Sequence, residues 1–260
     1  MENKYNKPPY EQIPEELLDD YTLNGSIKVI KWFRNDSKYS KVVWTDEIMK
    51  DHITRLTPEN IKKKQHGNEP YPGGGKPVQP SSALLLTKTF EKYINGEGKK
   101  IGIIGSETPW IEAILINMGF KDITTVEYNV PDCNHPNIKC ISYLNEFKKE
   151  EEEYDYIITF SSIEHSGLGR YGDNLNPNGD LEAMDDIYKS LKKDGILILG
   201  IPIGGDALVW NVHRNYGKIR FPMLISKFEE LEWIHYKKDT QLKKGGNVLT
   251  EQPVVVLKKR

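Results

Sequence analysis

Three short apolar runs most restrict what this chain can fold into: Ile101-Gly102-Ile103-Ile104, Tyr154-Asp155-Tyr156-Ile157-Ile158-Thr159-Phe160 and Gly195-Ile196-Leu197-Ile198-Leu199-Gly200-Ile201. They lack the polar–apolar alternation of a strand with one wet face, so each reads as a strand buried on both faces. Such strands need helices above and below them, and helical stretches fall between the runs. Ser81 or Ser82 can cap a helix to Tyr93; Thr108, with Pro109 at the first helical position, can open one that ends at Met118 before Gly119; and Leu181 to Leu191 reads as a third. Ile123 to Tyr128 and Ile138 to Ser142 add two strands. Strands alternating with helices imply an α/β fold on a parallel sheet. Further on, Phe221 to Leu231 resembles a helix, and Trp233 to Lys237 and Val254 to Lys258 read as antiparallel strands about the turn signal Gly245-Gly246-Asn247.

Residues 1–80 are polar and mixed. Glu15 to Tyr21 reads as a short helix, Ile27 to Phe33 as a strand or a helix, and Thr45 to Arg55 as helical. The Pro and Gly of Glu69-Pro70-Tyr71-Pro72-Gly73-Gly74-Gly75-Lys76-Pro77 forbid regular structure, and no G-K-[ST] follows, so a hinge or flap is expected there rather than a phosphate loop. The domain organisation expected is an N-terminal extension and flap over 1–80, without an independent fold, and a catalytic domain over 81–260. Lys and Arg number 36 against 38 Asp and Glu, for a net charge of -2, so no basic excess marks a nucleic-acid binder. Cys133 and Cys140 form no CxxC, which argues against a zinc knuckle or disulfide framework and fits a reducing compartment. No run approaches the roughly 20 apolar residues of a membrane span. The start, Met1 to Pro9, lacks the apolar centre of a secretory signal, so a soluble cytoplasmic protein is expected.

The first strand-to-helix turn, Gly105-Ser106-Glu107-Thr108-Pro109-Trp110, departs from G-x-G-x-x-G because no glycine recurs until Gly119. Glu107 would set a negative charge near a pyrophosphate, which is unfavourable. S-adenosylmethionine has no phosphate and carries an amine and a sulfonium, so it tolerates that carboxylate. Glu127 closes the second strand about twenty residues beyond the turn, where an acid can accept both ribose hydroxyls. Tyr128 and Asn129 can add adenosine contacts, Ser142 and Tyr143 can border the adenine, and Ser161 and Ser162 are placed on the cofactor side as well.

The apolar run to Phe160 leads into Ser161-Ser162-Ile163-Glu164-His165-Ser166-Gly167-Leu168-Gly169-Arg170-Tyr171-Gly172-Asp173, a loop at a strand's carboxyl end, where ligands bind in open α/β sheets. This loop, the 105–110 turn, Thr125-Val126-Glu127-Tyr128-Asn129 and Asp206-Ala207-Leu208-Val209-Trp210-Asn211-Val212-His213-Arg214 together resemble one family. It is a methyltransferase-like family of unknown function found in bacteria, nematodes and plants, and the resemblance covers roughly residues 70 to 260. It implies a Rossmann-like class I methyltransferase fold, mostly parallel with a closing antiparallel hairpin, that uses S-adenosylmethionine. The family's bacterial members resemble enzymes that decorate surface polysaccharides; the resemblance fixes no substrate.

A hydroxyl acceptor needs a base, and His165 lies just past the fourth strand with an intrinsic pKa suited to that task. Glu164-His165 resembles the Glu-His pair of many small-molecule methyltransferases; alternatively the histidine only braces the loop. His165 is taken as general base, His213 as the second choice and Glu164 as its partner. Arg170, Tyr171 and Asp173 can bind phosphates or hydroxyls of an acceptor, with Asp206, Trp210 and Arg214 facing the same pocket from a second loop and Trp210 as a stacking plane. Capping explains Asp180. Glu164, His165, Asp206 and His213 can assemble a divalent-metal site, but no diagnostic spacing supports one. The function expected is O-methylation of a small polar acceptor, a sugar or nucleotide-activated sugar in capsule or surface-glycan biosynthesis. The rivals are a nicotinamide-dependent reductase on a degenerate Rossmann fold and a non-catalytic adenosylmethionine-binding protein.

Overall fold

The structure, a computed structural model, describes residues 8–37, 41–63, 81–96, 98–245 and 251–260. The flap expected over Glu69–Pro77 and most of the Gly245–Asn247 turn lie outside the described residues. The strands are β1 Lys28–Trp32, β2 Val43–Trp44, β3 Ile101–Ile104, β4 Ile123–Glu127, β5 Asp132–Cys133, β6 Ile138–Ser142, β7 Tyr154–Phe160, β8 Leu191–Gly200, β9 Ala207–Asn211, β10 His213–Asn215, β11 Phe228–Ile234 and β12 Val254–Lys259. The helices are α1 Glu15–Thr22, α2 Asp46–Arg55, α3 Pro58–Lys63, α4 Ser82–Tyr93, α5 Trp110–Asn117, α6 Gly179–Ser190, α7 Arg220–Leu224 and α8 Lys238–Gln241.

Among the described residues the main sheet has the order β11-β12-β8-β7-β3-β4-β6. β3 runs parallel to β4 and β7, β4 runs parallel to β6, and β11 and β12 are antiparallel. This is an α/β fold on a mostly parallel sheet with a closing antiparallel pair. The chain divides into two compact units: Met1–Ser40, Phe160–Lys189 and Leu199–Arg260 in the first, Lys41–Thr159 and Ser190–Ile198 in the second.

In the second unit β3 is buried at every position and β7 at all but Asp155. Ile101, Ile103, Ile157 and Ile158 pack in that core with Ile111, Ile114 and Leu115 of α5 and Leu86 and Phe90 of α4. Ser81 caps α4 by accepting from the Leu84 N–H, and Thr45 caps α2 by accepting from the Ile48 N–H. α5 begins one residue later than expected. Pro109, with ψ 43°, stands at its N-cap in place of Thr108, and Gly119, with φ +91°, follows its end.

In the first unit β1 pairs parallel with β9 and β10 antiparallel with β9, so residues 207–215, expected to be a loop, form two strands. Every residue of β9 and β10 is buried, because Leu208 and Trp210 enter a core with Tyr21, Ile27, Leu168 and Leu175. The helix expected from Phe221 to Leu231 stops at Leu224, and β11 begins at Phe228 rather than Trp233. Phe221, Leu224, Ile225, Phe228 and Leu231 recur at helical spacing, but pairing of Phe228–Ile234 with the apolar β12 overrides that local signal.

Asp180 is a charged hub, not a cap. Its carboxylate is fully buried and takes Arg220 through Nε at 2.8 Å and an Nη at 2.6 Å, with the Tyr216 hydroxyl at 3.0 Å. Arg214 Nε stands 3.7 Å away. Burial raises the pKa of Asp180, but Arg214 and Arg220 outweigh it and hold the carboxyl below its usual value. Asp180→Ala strands two buried guanidinium groups and should lower unfolding free energy by about 3–5 kcal/mol in urea titrations. A loss below about 1 kcal/mol would contradict the hub.

Candidate active site

Of the residues expected to hold the cofactor, all but Ser161 and Ser162 lie in the second unit. Past β3, Gly105 turns the chain with φ +81°, a conformation glycine takes without strain. The next N–H, of Ser106, donates to Glu127 Oε1 at 2.5 Å, and the Tyr128 N–H donates to Oε2 at 3.2 Å. The acid ending β4 is thereby locked to the turn that leaves the neighbouring parallel strand. Burial pushes its carboxyl up to about 7 against the pull of those N–H groups, and Glu107 adds to the rise. Ser142 pairs with Glu127 across the sheet. Tyr128, 52% exposed, stacks on buried Tyr143 with centroids 4.9 Å apart. The Glu107 carbonyl accepts from Trp44 Nε1 at 3.3 Å. Gly105, Ser106, Glu107, Glu127, Tyr128 and Ser142 therefore gather at the carboxyl ends of β3, β4 and β6, flanked along the chain by Trp110 and Asn129.

Glu112 was missed by sequence reasoning. Fully buried on α5, it accepts the Ser106 hydroxyl at 3.0 Å and the Thr125 hydroxyl at 2.8 Å, fastening the turn to β4. Burial pushes its carboxyl up to about 7. The signal was a lone charge inside Trp110-Ile111-Glu112-Ala113-Ile114-Leu115-Ile116, where a buried acid must find partners.

The reactive loop lies in the first unit. Ser161 has φ +54°, gives its N–H to the Gly200 carbonyl and accepts from Gln252 Nε2 at 3.0 Å. Ser162, Ile163, Glu164 and His165 continue into a 3₁₀ turn. Tyr21 donates to the Gly167 carbonyl at 2.5 Å. At Gly167, with φ +77°, an added Cβ would come 2.1 Å from the Asn176 carbonyl oxygen, so the glycine is obligatory.

Several side chains expected to bind an acceptor are hydrogen-bonded to backbone. Asp173 accepts the N–H groups of Gly167, Gly169 and Tyr171. Arg214 donates to the carbonyls of Glu164, Ser166, Asn176 and Pro177. Asp206 accepts the N–H groups of Gly217, Ile219 and Arg220 at 2.9 Å each. Trp210 is only 3% exposed and gives Nε1 to the Tyr10 carbonyl, so it offers no stacking plane. Arg170 pairs with Asp36 at 2.6 Å and lies over the Tyr171 ring at 4.7 Å. Tyr171 remains 41% exposed, its ring edge-on to His165 at 5.7 Å.

His165 Nδ1 lies 2.6 Å from the Val212 carbonyl oxygen, which can only accept, so Nδ1 carries the proton and Nε2 keeps a lone pair. Nε2 faces Glu164 Oε1 at 3.7 Å. Glu164 is fully buried, and its nearest donors, the Ser161 hydroxyl and the N–H groups of Ser162 and Glu164 itself, stand outside close hydrogen-bond geometry. Burial pushes Glu164 up to about 7 and His165 down to about 3, the Arg170 charge adding to the second shift. The neutral pair is thus favoured over the ion pair, and His165 does not titrate at the ordinary histidine pH. His213 is buried with its ring 6.4 Å from that of His165. Among the described residues no three His, Cys, Asp or Glu side chains are placed to hold a metal ion, and Asp206 is committed elsewhere.

The family described as "Caenorhabditis protein of unknown function, DUF268" matches residues 98–259, more than half of the chain. The chain belongs to this family. No curated protein matches the sequence. Among solved structures, Burkholderia thailandensis 1,6-didemethyltoxoflavin-N1-methyltransferase, held with S-adenosylhomocysteine, is similar at 10% identity and TM-score 0.41, over 62% of this chain and 72% of that one. A SAM-dependent methyltransferase from Archaeoglobus fulgidus is similar at 14% identity and TM-score 0.41, over 69% and 95%.

Glu112 gives this DUF268 member a test of its turn. Glu112→Ala should cost about 1–3 kcal/mol by leaving the buried Thr125 hydroxyl without its acceptor, while the Ser106 hydroxyl keeps the Thr108 carbonyl, whereas Glu112→Gln keeps one acceptor and one donor and should stay within about 1 kcal/mol. Because the folded-state pKa of Glu112 is raised, its stabilising contribution is complete below the ordinary carboxylate range and falls as pH rises to about 7. Urea unfolding between pH 4 and 8 should show part of that decline vanish in the Gln variant. An unchanged decline would contradict a buried, proton-holding Glu112.

Proposed function

We propose that this protein is an S-adenosylmethionine-dependent O-methyltransferase acting on a small polar acceptor, a sugar or nucleotide-activated sugar in surface-glycan biosynthesis. The observation that carries the cofactor assignment is Glu127, held by the Ser106 N–H at a turn with a single glycine. Two acids, Glu107 and Glu127, at one turn repel a pyrophosphate and suit a ribose attached to a cationic sulfonium. Gly105, Ser106, Glu127 and the exposed face of Tyr128 would hold the adenosyl part. When bound, the cofactor supplies an electrophilic methyl group.

The chain's own residues then have proton work to do. His165 Nε2 has the lone pair to take the acceptor's hydroxyl proton, and an ionised Glu164 can hold the resulting imidazolium at the same nitrogen. Exposed Tyr171 beside His165 supports an acceptor with an apolar C–H face to lay on the ring, such as a sugar.

Wild-type protein supplied with adenosylmethionine and a panel of nucleotide sugars should release S-adenosylhomocysteine. His165→Ala should cut turnover by roughly 10²-fold or more while cofactor affinity stays within a few-fold. Unchanged turnover would reject the base. Since Glu164 must ionise to hold the imidazolium, kcat should rise with pH through about 7; Glu164→Gln should be slow with that rise abolished. A rise that persists in the Gln variant would assign it to another group.

A further inference from the structure

Residues 8–37 stand outside the matched family region yet contact both the reactive loop and β9. Tyr21 donates to the Gly167 carbonyl, the Tyr10 carbonyl accepts from Trp210, and the Arg34 N–H donates to Asn211 Oδ1 at 2.9 Å. Asp36 is the most consequential contact. Its N–H donates to the Arg170 carbonyl at 3.0 Å, and its Oδ2 takes Arg170 Nε at 2.6 Å. Asp36 is also contacted by Arg34, whose Nε lies 3.3 Å from the same Oδ2.

Arg170 is thereby aimed. One Nη reaches the Val212 carbonyl at 3.4 Å, the same carbonyl that takes His165 Nδ1 at 2.6 Å. The guanidinium face covers Tyr171, whose ring meets the edge of His165. Two neighbours of the His165 ring, the carbonyl behind Nδ1 and the aromatic beside it, are therefore contacted by one arginine, and Asp36 anchors that arginine. A guanidinium fork keeps such a geometry only while its other donors are engaged.

We propose that Asp36 is a positioning residue of the reactive site: through Arg170 and the Val212 carbonyl it holds His165 in the Nδ1-protonated tautomer, leaving Nε2 as proton acceptor. The N-terminal segment is then a working part of the site, which is incomplete in the 98–259 region alone. The inference deepens the assignment of His165 as base, but its geometry can be read without any methyl transfer.

Full-length protein labelled with ¹⁵N at histidine reports each imidazole tautomer through its nitrogen shifts and two-bond couplings, and a His165→Gln sample identifies the signal among the six histidines. Wild type should show one His165 species protonated at Nδ1. Asp36→Ala should lose that single pattern to a mixture of tautomers, Asp36→Glu should restore it, and Arg170→Lys, which keeps a cation without the fork, should lose it as Asp36→Ala does. Tm recorded on each variant separates tautomer from stability. A fall in Tm with the Nδ1-protonated pattern intact in both Asp36→Ala and Arg170→Lys would overturn the proposal and leave Asp36 a structural clamp. Because the spectra contain neither cofactor nor acceptor, that result would leave the methyltransferase assignment standing. Conversely, absence of transfer by wild type would not alter the spectra.

Discussion

The first unit depends on one buried charge. Asp180 takes a two-pronged grip from Arg220 and a hydroxyl from Tyr216, and stands 3.7 Å from Arg214. Burying a carboxylate is costly, and the cost is recovered only where every lone pair finds a donor. Arg214, placed near Asp180, spends its remaining N–H groups on the carbonyls of Glu164, Ser166, Asn176 and Pro177. A loop with three glycines thus gains order from backbone carbonyls tied to one arginine. In the second unit Glu112 does the same for the 105–110 turn, through Ser106 and Thr125.

These commitments act as a sieve on function. Asp173, Asp206, Arg214 and Trp210 are engaged with backbone. What remains in the loop is narrow: a histidine with a lone pair at Nε2, a buried carboxyl with only loosely placed donors, and an exposed tyrosine beside the histidine. The low proton affinity of His165 makes its partner matter. Glu164, 3.7 Å away, is the group placed to stabilise a proton on His165 Nε2.

Elements whose partners lie close in sequence, or whose burial needs no particular partner, were legible from the chain. β3 and β7 announced themselves as largely apolar runs, and Ser81 as a cap, because those signals are local. The strands β9 and β10 were not legible: Asn211, His213 and Arg214 look like loop residues until β1, from the far N-terminus, supplies the pairing. Asp180 looked like a cap because its partners, Tyr216 and Arg220, come dozens of residues later. Of the six acceptor residues drawn from the motifs, four, Asp173, Asp206, Trp210 and Arg214, hydrogen-bond to backbone. Motif composition marks where a loop is unusual; which of its groups are free is a property of packing.

The most direct measurement is calorimetric titration of the full-length protein with S-adenosylmethionine and with NAD, at pH 6 and pH 8. Adenosylmethionine should bind, and more tightly at pH 8, because Glu127 ionises near 7 and only the ionised acid accepts both ribose hydroxyls. Glu127→Gln should bind weakly with no pH dependence, and NAD should give no heat of binding. Tight NAD binding with no response to adenosylmethionine would contradict the account.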